Sequence, residues 1–242
     1  MLSAPIEEQI SRFNSLNEWF NSIQGRHIAQ AIAAELTCLD DVLSGSRLIQ
    51  LGACGDNVWL ASLRYRHKWL IAPQIHNSTI DCSADLQQLP IDRNSLDCIL
   101  APFVVDAFNR TEGILDEIDR ILKPMGYVVI FGFHYFSLWG IWLKFWESCC
   151  FGVYGGFPRS SFTLRRSMFD RGYIQCYCNN FYFIPPVRKQ YLLNKLSFLN
   201  SIGKMVTPMP SALYCLVMQK HVENHISPSL TTNSIQVNLS YT

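Results

Sequence analysis

Between Thr111 and Leu122 the apolar residues Ile114, Leu115, Ile118, Ile121 and Leu122 recur at i, i+1, i+4, i+7 and i+8. That spacing places them on one stripe of a helix, with Glu112, Asp116, Glu117, Asp119 and Arg120 on the wet side. Pro124 predicts its end, and Gly126 a turn into an apolar run, Tyr127 to Phe133, that reads as a buried strand. Upstream, Asp97 to Ala101 reads as a strand bounded by Pro102. Arg47 to Leu51 is a further strand, followed by Gly52, and Trp69 to Ala72 another, stopped at Pro73. Val58 to Leu63 is expected to be a helix between them. Ser11 to Leu43 carries Ile28, Ala31, Ile32, Leu39, Val42 and Leu43 at helical spacing, with Gly45 as its stop. Strands alternating with helices across short connections imply an α/β fold, a parallel sheet with right-handed crossovers.

Beyond Gly140 the texture changes. Residues 137–157 are dense in aromatics, but Lys144 and Glu147 interrupt the window, and Gly152, Gly155, Gly156 and Pro158 break it. The apolar run falls short of the roughly 20 residues that span a bilayer, so no transmembrane segment is expected. A lid over an apolar cavity, or plain core, is the expected role, with peripheral membrane contact as the alternative. Ser161 to Arg171 reads as a helix closed by Gly172. Tyr173 to Ile184 reads as strand with a hairpin at Asn179-Asn180. Gln190 to Ile202 is an amphipathic helix, and Ala212 to Met218 a last strand. The expected division is a helical extension over 1–44, an α/β domain over 45–222, and a polar, aperiodic tail over 223–242.

Composition narrows the partners. Hydrophobic residues make up 49% of the chain against 16% charged, enough apolar surface for a substantial core. A net charge of +1 does not point to nucleic acid. The one basic cluster, Arg64-Tyr65-Arg66-His67-Lys68, is expected to be a solvated helix end rather than an RNA contact. The opening residues have neither a basic nor an apolar leader region, so a cytoplasmic location is expected. Nine cysteines without a CxxC pair suit small buried hydrophobes in a reducing compartment. Cys176 and Cys178 share a strand face, but no metal site is expected.

The segment Leu89 to Gly140 resembles the class I S-adenosylmethionine-dependent methyltransferases of the methyltransferase type 11 kind. Leu89-Pro90-Ile91 followed by Asn94-Ser95-Leu96-Asp97 is similar to the LPF…SFD element. Glu117, Arg120, Leu122, Lys123 and Pro124 are similar to E-x-x-R-x-L-K/R-P-G-G, with Met125 in place of the first glycine. Gly132-Phe133-His134-Tyr135-Phe136-Ser137-Leu138-Trp139-Gly140 resembles the GFNPWSLWG-like motif of a bacterial subgroup. The likeness extends to Trp19-Phe20…Gly25-Arg26 and to Leu199…Gly203…Pro208…Leu213-Tyr214…Lys220. It implies a doubly wound, Rossmann-like sheet of seven strands, order 3-2-1-4-5-7-6, with strand seven antiparallel.

The resemblance also implies S-adenosylmethionine lying across the carboxyl ends of the strands beside strand one. The residues it assigns to that site are Gln50, Gly52, Cys54, Gly55, Asp85, Leu86 and Ala101. Several depart from the family pattern of an acid, a hydrophobe and G-x-G-x-G: Gln50 replaces the carboxylate, Cys54 the second glycine and Asp56 the third. Strand two ends in Ile71-Ala72-Pro73 without an acid for the ribose, while Asp85-Leu86 keeps the adenine-side pattern. His134 stands at the Asn position of the subgroup motif, as a substrate contact, a proton acceptor or a structural histidine. Phe103 suggests an apolar substrate wall. Two functions stay open: methyl transfer to a hydrophobic small molecule, or a catalytically inactive relative that serves as a binding or scaffold protein. A nicotinamide dehydrogenase is disfavoured, since no G-x-G-x-x-G follows strand one.

Overall fold

The computed structural model describes residues 6–73, 80–145, 150–187, 189–203 and 211–221. The expected tail over 223–242 lies outside them. Seven strands form one sheet in the order β3-β2-β1-β4-β5-β7-β6. They are β1 (Gly45–Leu51), β2 (Tyr65–Ala72), β3 (Cys82–Ser83), β4 (Leu96–Pro102), β5 (Leu122–Phe133), β6 (Tyr173–Phe181) and β7 (Leu213–Lys220). All pairings are parallel except those of β7, which runs antiparallel to both β5 and β6.

Two helices precede the sheet, α1 (Ile6–Phe20) and α2 (Ile23–Thr37). The single helical run expected over Ser11 to Leu43 is broken at Asn21-Ser22. Ser22 takes an extended backbone and its side chain accepts from Gly25 N at 3.1 Å, so a new helix starts there. The remaining helices are α3 (Val104–Ala107), α4 (Glu112–Ile121), α5 (Leu138–Phe145), α6 (Ser161–Phe169), α7 (Gln190–Leu196) and α8 (Phe198–Gly203). Helix α2 reaches Tyr177 and Asn179 of β6 through Glu35, at 2.6 and 2.7 Å. On the opposite face, Arg165 of α6 bonds Gln175, and Arg171 ties α6 to Asp116 of α4 at 2.6 Å.

Several expectations are corrected. The helix expected over Val58–Leu63 is a single 3-10 turn, Val58–Leu60, because Asn57 is left-handed (φ 46°) and Trp59 is drawn into the core. The basic run is not a helix end: after Arg64, residues Tyr65 to Lys68 are strand, with Tyr65 turned inward while Arg66 and His67 stay exposed. No hairpin forms at Asn179-Asn180, since both residues continue the pairing of β6 with β7. The residue in the left-handed region after Pro124 is Met125 (φ 64°), not Gly126. The helix expected from Gln190 to Ile202 divides into α7 and α8 at Ser197. Among the described residues no helix is long and apolar enough to cross a membrane.

Two of the family-like motifs have structural work. Glu117 accepts from Leu89 N at 2.6 Å and pairs with Arg120, which donates to the carbonyls of Ile91 and Leu89 at 2.8 and 2.9 Å. The clamp pins the connection that leads into β4. The bond from Arg120 holds the Glu117 carboxyl below the usual range, against the opposing effect of burial. Arg120→Ala is therefore expected to lower stability by about 2–3 kcal/mol in urea unfolding, because it strands a buried acid and two carbonyls. In the SLWG segment, Ser137 Oγ donates to His134 O at 2.6 Å and accepts from Gly140 N at 3.1 Å, starting α5. A Cβ on Gly140 would run into the Tyr135 carbonyl. Trp139 is 1% exposed and bonds Ile184 O at 2.8 Å.

Candidate functional site

In a sheet of this order the chain leaves β1 to one side and β4 to the other, so their carboxyl ends flank the topological switch point where open α/β sheets bind ligands. The loop after β1, Gly52 to Asn57, and the turn after β4, Phe103 to Phe108, meet there. Gly52 has φ 82°, a backbone that suits glycine, and its N–H donates to Ile71 O at 2.7 Å.

Gln50 is fully buried at the end of β1. Its Oε1 accepts from Trp59 Nε1 at 2.7 Å, and its Nε2 donates to Gly52 O at 2.9 Å and Asn57 Oδ1 at 2.5 Å. The same Asn57 oxygen accepts from Cys54 N at 3.0 Å, and Asn57 Nδ2 donates to Gly55 O at 2.9 Å. Gly55 N donates to Asn17 Oδ1 of α1 at 2.8 Å. The loop's hydrogen bonds are thus spent within the protein. Cys54 is 1% exposed and burial drives its thiol pKa far upward, which keeps it neutral and inert.

Above this loop lies α1. A Cβ on Gly52 would sit 2.9 Å from Phe13 Cε1. Phe13 also packs against Phe108, and Phe20 against Trp59 and Phe103 at ring separations of 6.0 and 5.7 Å. Phe13, Leu16 and Phe20 are at most 2% exposed, so α1 fills the crevice between the ends of β1 and β4.

The other sequence candidates lie around the same end. Asp85 is half-buried, and its Oδ1 accepts from Gln87 N at 2.9 Å, as an Asx turn does. Leu86 and Ala101 are completely buried. Phe103 is buried with φ 57° and packs against Phe133 with the rings tilted and 4.6 Å apart, as core between β4 and β5. His134 follows β5; its N–H bonds Ala212 O, its Nδ1 has no partner, and burial lowers its pKa so the ring is neutral near pH 7.

Sequence reasoning missed Asp106. It sits in α3, fully buried, with Oδ2 accepting from Phe133 N at 2.8 Å and Oδ1 from Arg159 N at 3.3 Å. Burial raises its pKa to about 8, against the pull of those two N–H groups and the Arg159 charge. The carboxyl is therefore mostly protonated at neutral pH. Tyr214 Oη, also buried, has no partner, and the nearby acid contributes to its raised pKa after burial itself. Neither Phe13 nor Asn17 carries a local signal of its role. Their contacts with the loop after β1 join residues about 40 positions apart.

Two hollows are worth placing. One of about 450 Å³ lies between the α1–α2 corner and α5, walled by Trp19, Trp142, Gln24 and Arg26. A second, of about 540 Å³, lies on the face of β1 and β2 formed by Ile49, Ile71, Trp69 and Leu96.

Residues 53–130 match the family model described as a methyltransferase domain. Over 59 residues the chain is 37% identical to the ubiquinone/menaquinone biosynthesis C-methyltransferase of Blochmanniella pennsylvanica. That match covers 24% of this chain and 23% of the relative, so the chain spans about a quarter of that protein's length. A chain from the complex of the Haloferax volcanii Trm112 methyltransferase activator with its methyltransferase superposes with a TM-score of 0.64. It is 15% identical, over 90% of this chain and 99% of that one. A S-adenosylmethionine-dependent methyltransferase of Thermotoga maritima superposes at 0.58, with 17% identity over 79% of this chain and 89% of that one. The fold is that of the class I methyltransferases.

The residues around the switch point do not form an open cradle in this arrangement. Gln50 has its bonds satisfied internally, Phe13 covers Gly52, and Asn17 occupies the Gly55 N–H.

Proposed function

We propose that the chain is a S-adenosylmethionine-dependent methyltransferase of the type 11 kind, acting on a hydrophobic small molecule. The observation that carries this reading is the coincidence of three things at one place. The matched segment 53–130 begins in the loop after β1, the strand order puts a ligand-binding switch point there, and Asp85 stands at the same end of the sheet. The Gly132 to Gly140 segment supports assignment to the GFNPWSLWG-like subgroup. The hollow walled by Trp19 and Trp142, beside the α1–α2 corner, supports an apolar acceptor. Methyl transfer by in-line displacement relies on alignment and exclusion of water more than on an acid or base. A protein without an obvious proton-transfer dyad is compatible with that chemistry.

Calorimetric titration with S-adenosylhomocysteine, with NAD as the control, tests the reading. One-to-one binding is expected, with none for NAD. Asp85→Ala is expected to weaken it about 10- to 100-fold, the worth of one charge-assisted hydrogen bond. Folded wild type and folded Phe13→Ala that both fail to bind at millimolar ligand would contradict it.

A further inference from the structure

We propose, resting on the cofactor reading above, that α1 is a gate: its seat on the Gly52 loop is a closed state from which it must move before the cofactor enters. Besides the ring packing of Phe13 and Phe20, three contacts fasten it there. Phe13 covers Gly52, Asn17 Oδ1 takes the Gly55 N–H at 2.8 Å, and Arg12 Nε donates to Gly155 O at 3.3 Å. The first two stand where a ligand at the switch point needs open backbone, so helix and ligand compete for the same groups.

Beside the packed Phe13, Leu16 and Phe20, the buried face of α1 carries two polar side chains that are incompletely satisfied. Gln9 is 2% exposed, yet neither its amide nitrogen nor its amide oxygen has a hydrogen-bond partner. Arg12 is 4% exposed, and its NH1 nitrogen is likewise without one. Its guanidinium rests against the rings of Tyr154 and Phe157, 5.7 and 5.1 Å from their centroids. Burial lowers its pKa, an effect only partly offset by Glu8. A helix buried purely for stability would satisfy these groups or replace them with apolar ones. Here the closed seat carries desolvated amide and guanidinium atoms that water satisfies once the helix lifts. In the proposed gate the two-residue break at Asn21-Ser22, between α1 and α2, is the pivot about which α1 moves while α2 stays on the sheet.

A gate of this kind lowers apparent affinity by the fraction of time it is open, so weakening the closed seat tightens binding. The test is titration of S-adenosylhomocysteine into full-length wild type, Phe13→Ala and Asn17→Ala. Leu164→Ala, a buried change in α6, controls for general loosening. Hydrogen exchange with and without the ligand reports on residues 6–20. The two α1 variants are expected to bind about ten-fold tighter than wild type, and Leu164→Ala unchanged. Ligand is expected to reduce protection of residues 6–20. Unchanged affinity in both α1 variants, with α1 protection unaltered or raised by ligand, overturns the gate and leaves the cofactor reading standing. Equal tightening in Leu164→Ala overturns it as well. Absence of binding in every folded variant removes the cofactor reading, and the gate with it.

Discussion

Asp106→Asn is expected to leave the protein more stable than wild type at pH 8, although it alters a fully buried residue. A carboxyl whose folded pKa stands near 8, far above the ordinary 3.8, holds its proton in the folded state and releases it on unfolding. Between those two values the unfolded chain binds fewer protons, so stability falls as pH rises, by about 1.4 kcal/mol per unit. The contribution is intact below about pH 4 and lost once pH passes the folded value. Asparagine retains an oxygen for the Phe133 N–H, seen here at 2.8 Å, but does not titrate. Urea unfolding of both proteins from pH 5 to pH 8 checks this. The wild-type curve should fall relative to the variant across the window. Parallel curves would mean that the acid is ionised in the folded protein.

The second large effect is expected at Trp139. Its ring lies among Trp19, Phe133, Trp142 and Tyr182, with centroid separations of 5.9, 5.6, 5.5 and 6.3 Å, and its N–H bonds Ile184 O. Trp139→Ala opens a cavity at the junction of α1, α5 and β5 and strands that carbonyl. The expected loss is about 3–5 kcal/mol, a large part of the stability of an ordinary domain. Trp139→Phe keeps a ring in place and should lose about 1–3 kcal/mol, mostly for the unpaired carbonyl. A change below 1 kcal/mol in the alanine variant would show that α5 is not integral to the core.

How far the sequence revealed this molecule depended on whether the signal was local. Helix α4 was legible within a residue at each end, because its apolar stripe is complete. Strand β4 and the Tyr127 to Phe133 part of β5 are apolar runs and were legible for the same reason, whereas β5 itself begins at Leu122, in a stretch that Lys123, Pro124 and Gly126 make look like a turn. The start of β2 was hidden by Arg64 to Lys68. Because β3 pairs with β2 only at Ile71 and Ala72, the start of β2 has a strand partner on one side alone, and its charged residues look like a solvated helix end. The loop after β1 departs from the family pattern in the sequence itself, but what accompanies that departure is visible only in the fold. Gln50 is accompanied by Trp59 and Asn57, which together absorb its bonds. Phe13 and Asn17 contact the loop from a helix that, in sequence, looks merely amphipathic. Asp106 follows Pro102-Phe103 without any periodic or motif signal, and only the fold brings the Phe133 and Arg159 N–H groups to its carboxyl.

The central claim is that the carboxyl ends of β1 and β4 are a cofactor site closed by the chain's own first helix. A crystal structure of full-length protein carrying Phe13→Ala, grown with S-adenosylhomocysteine, tests it most directly. The ligand is expected across the ends of β1 and β4, with its backbone contacts at Gly52 and Gly55, and α1 displaced from the Gly55 N–H. Ligand bound on the Ile49–Trp69 face instead, or bound at the switch point with α1 seated as it is now, would contradict it.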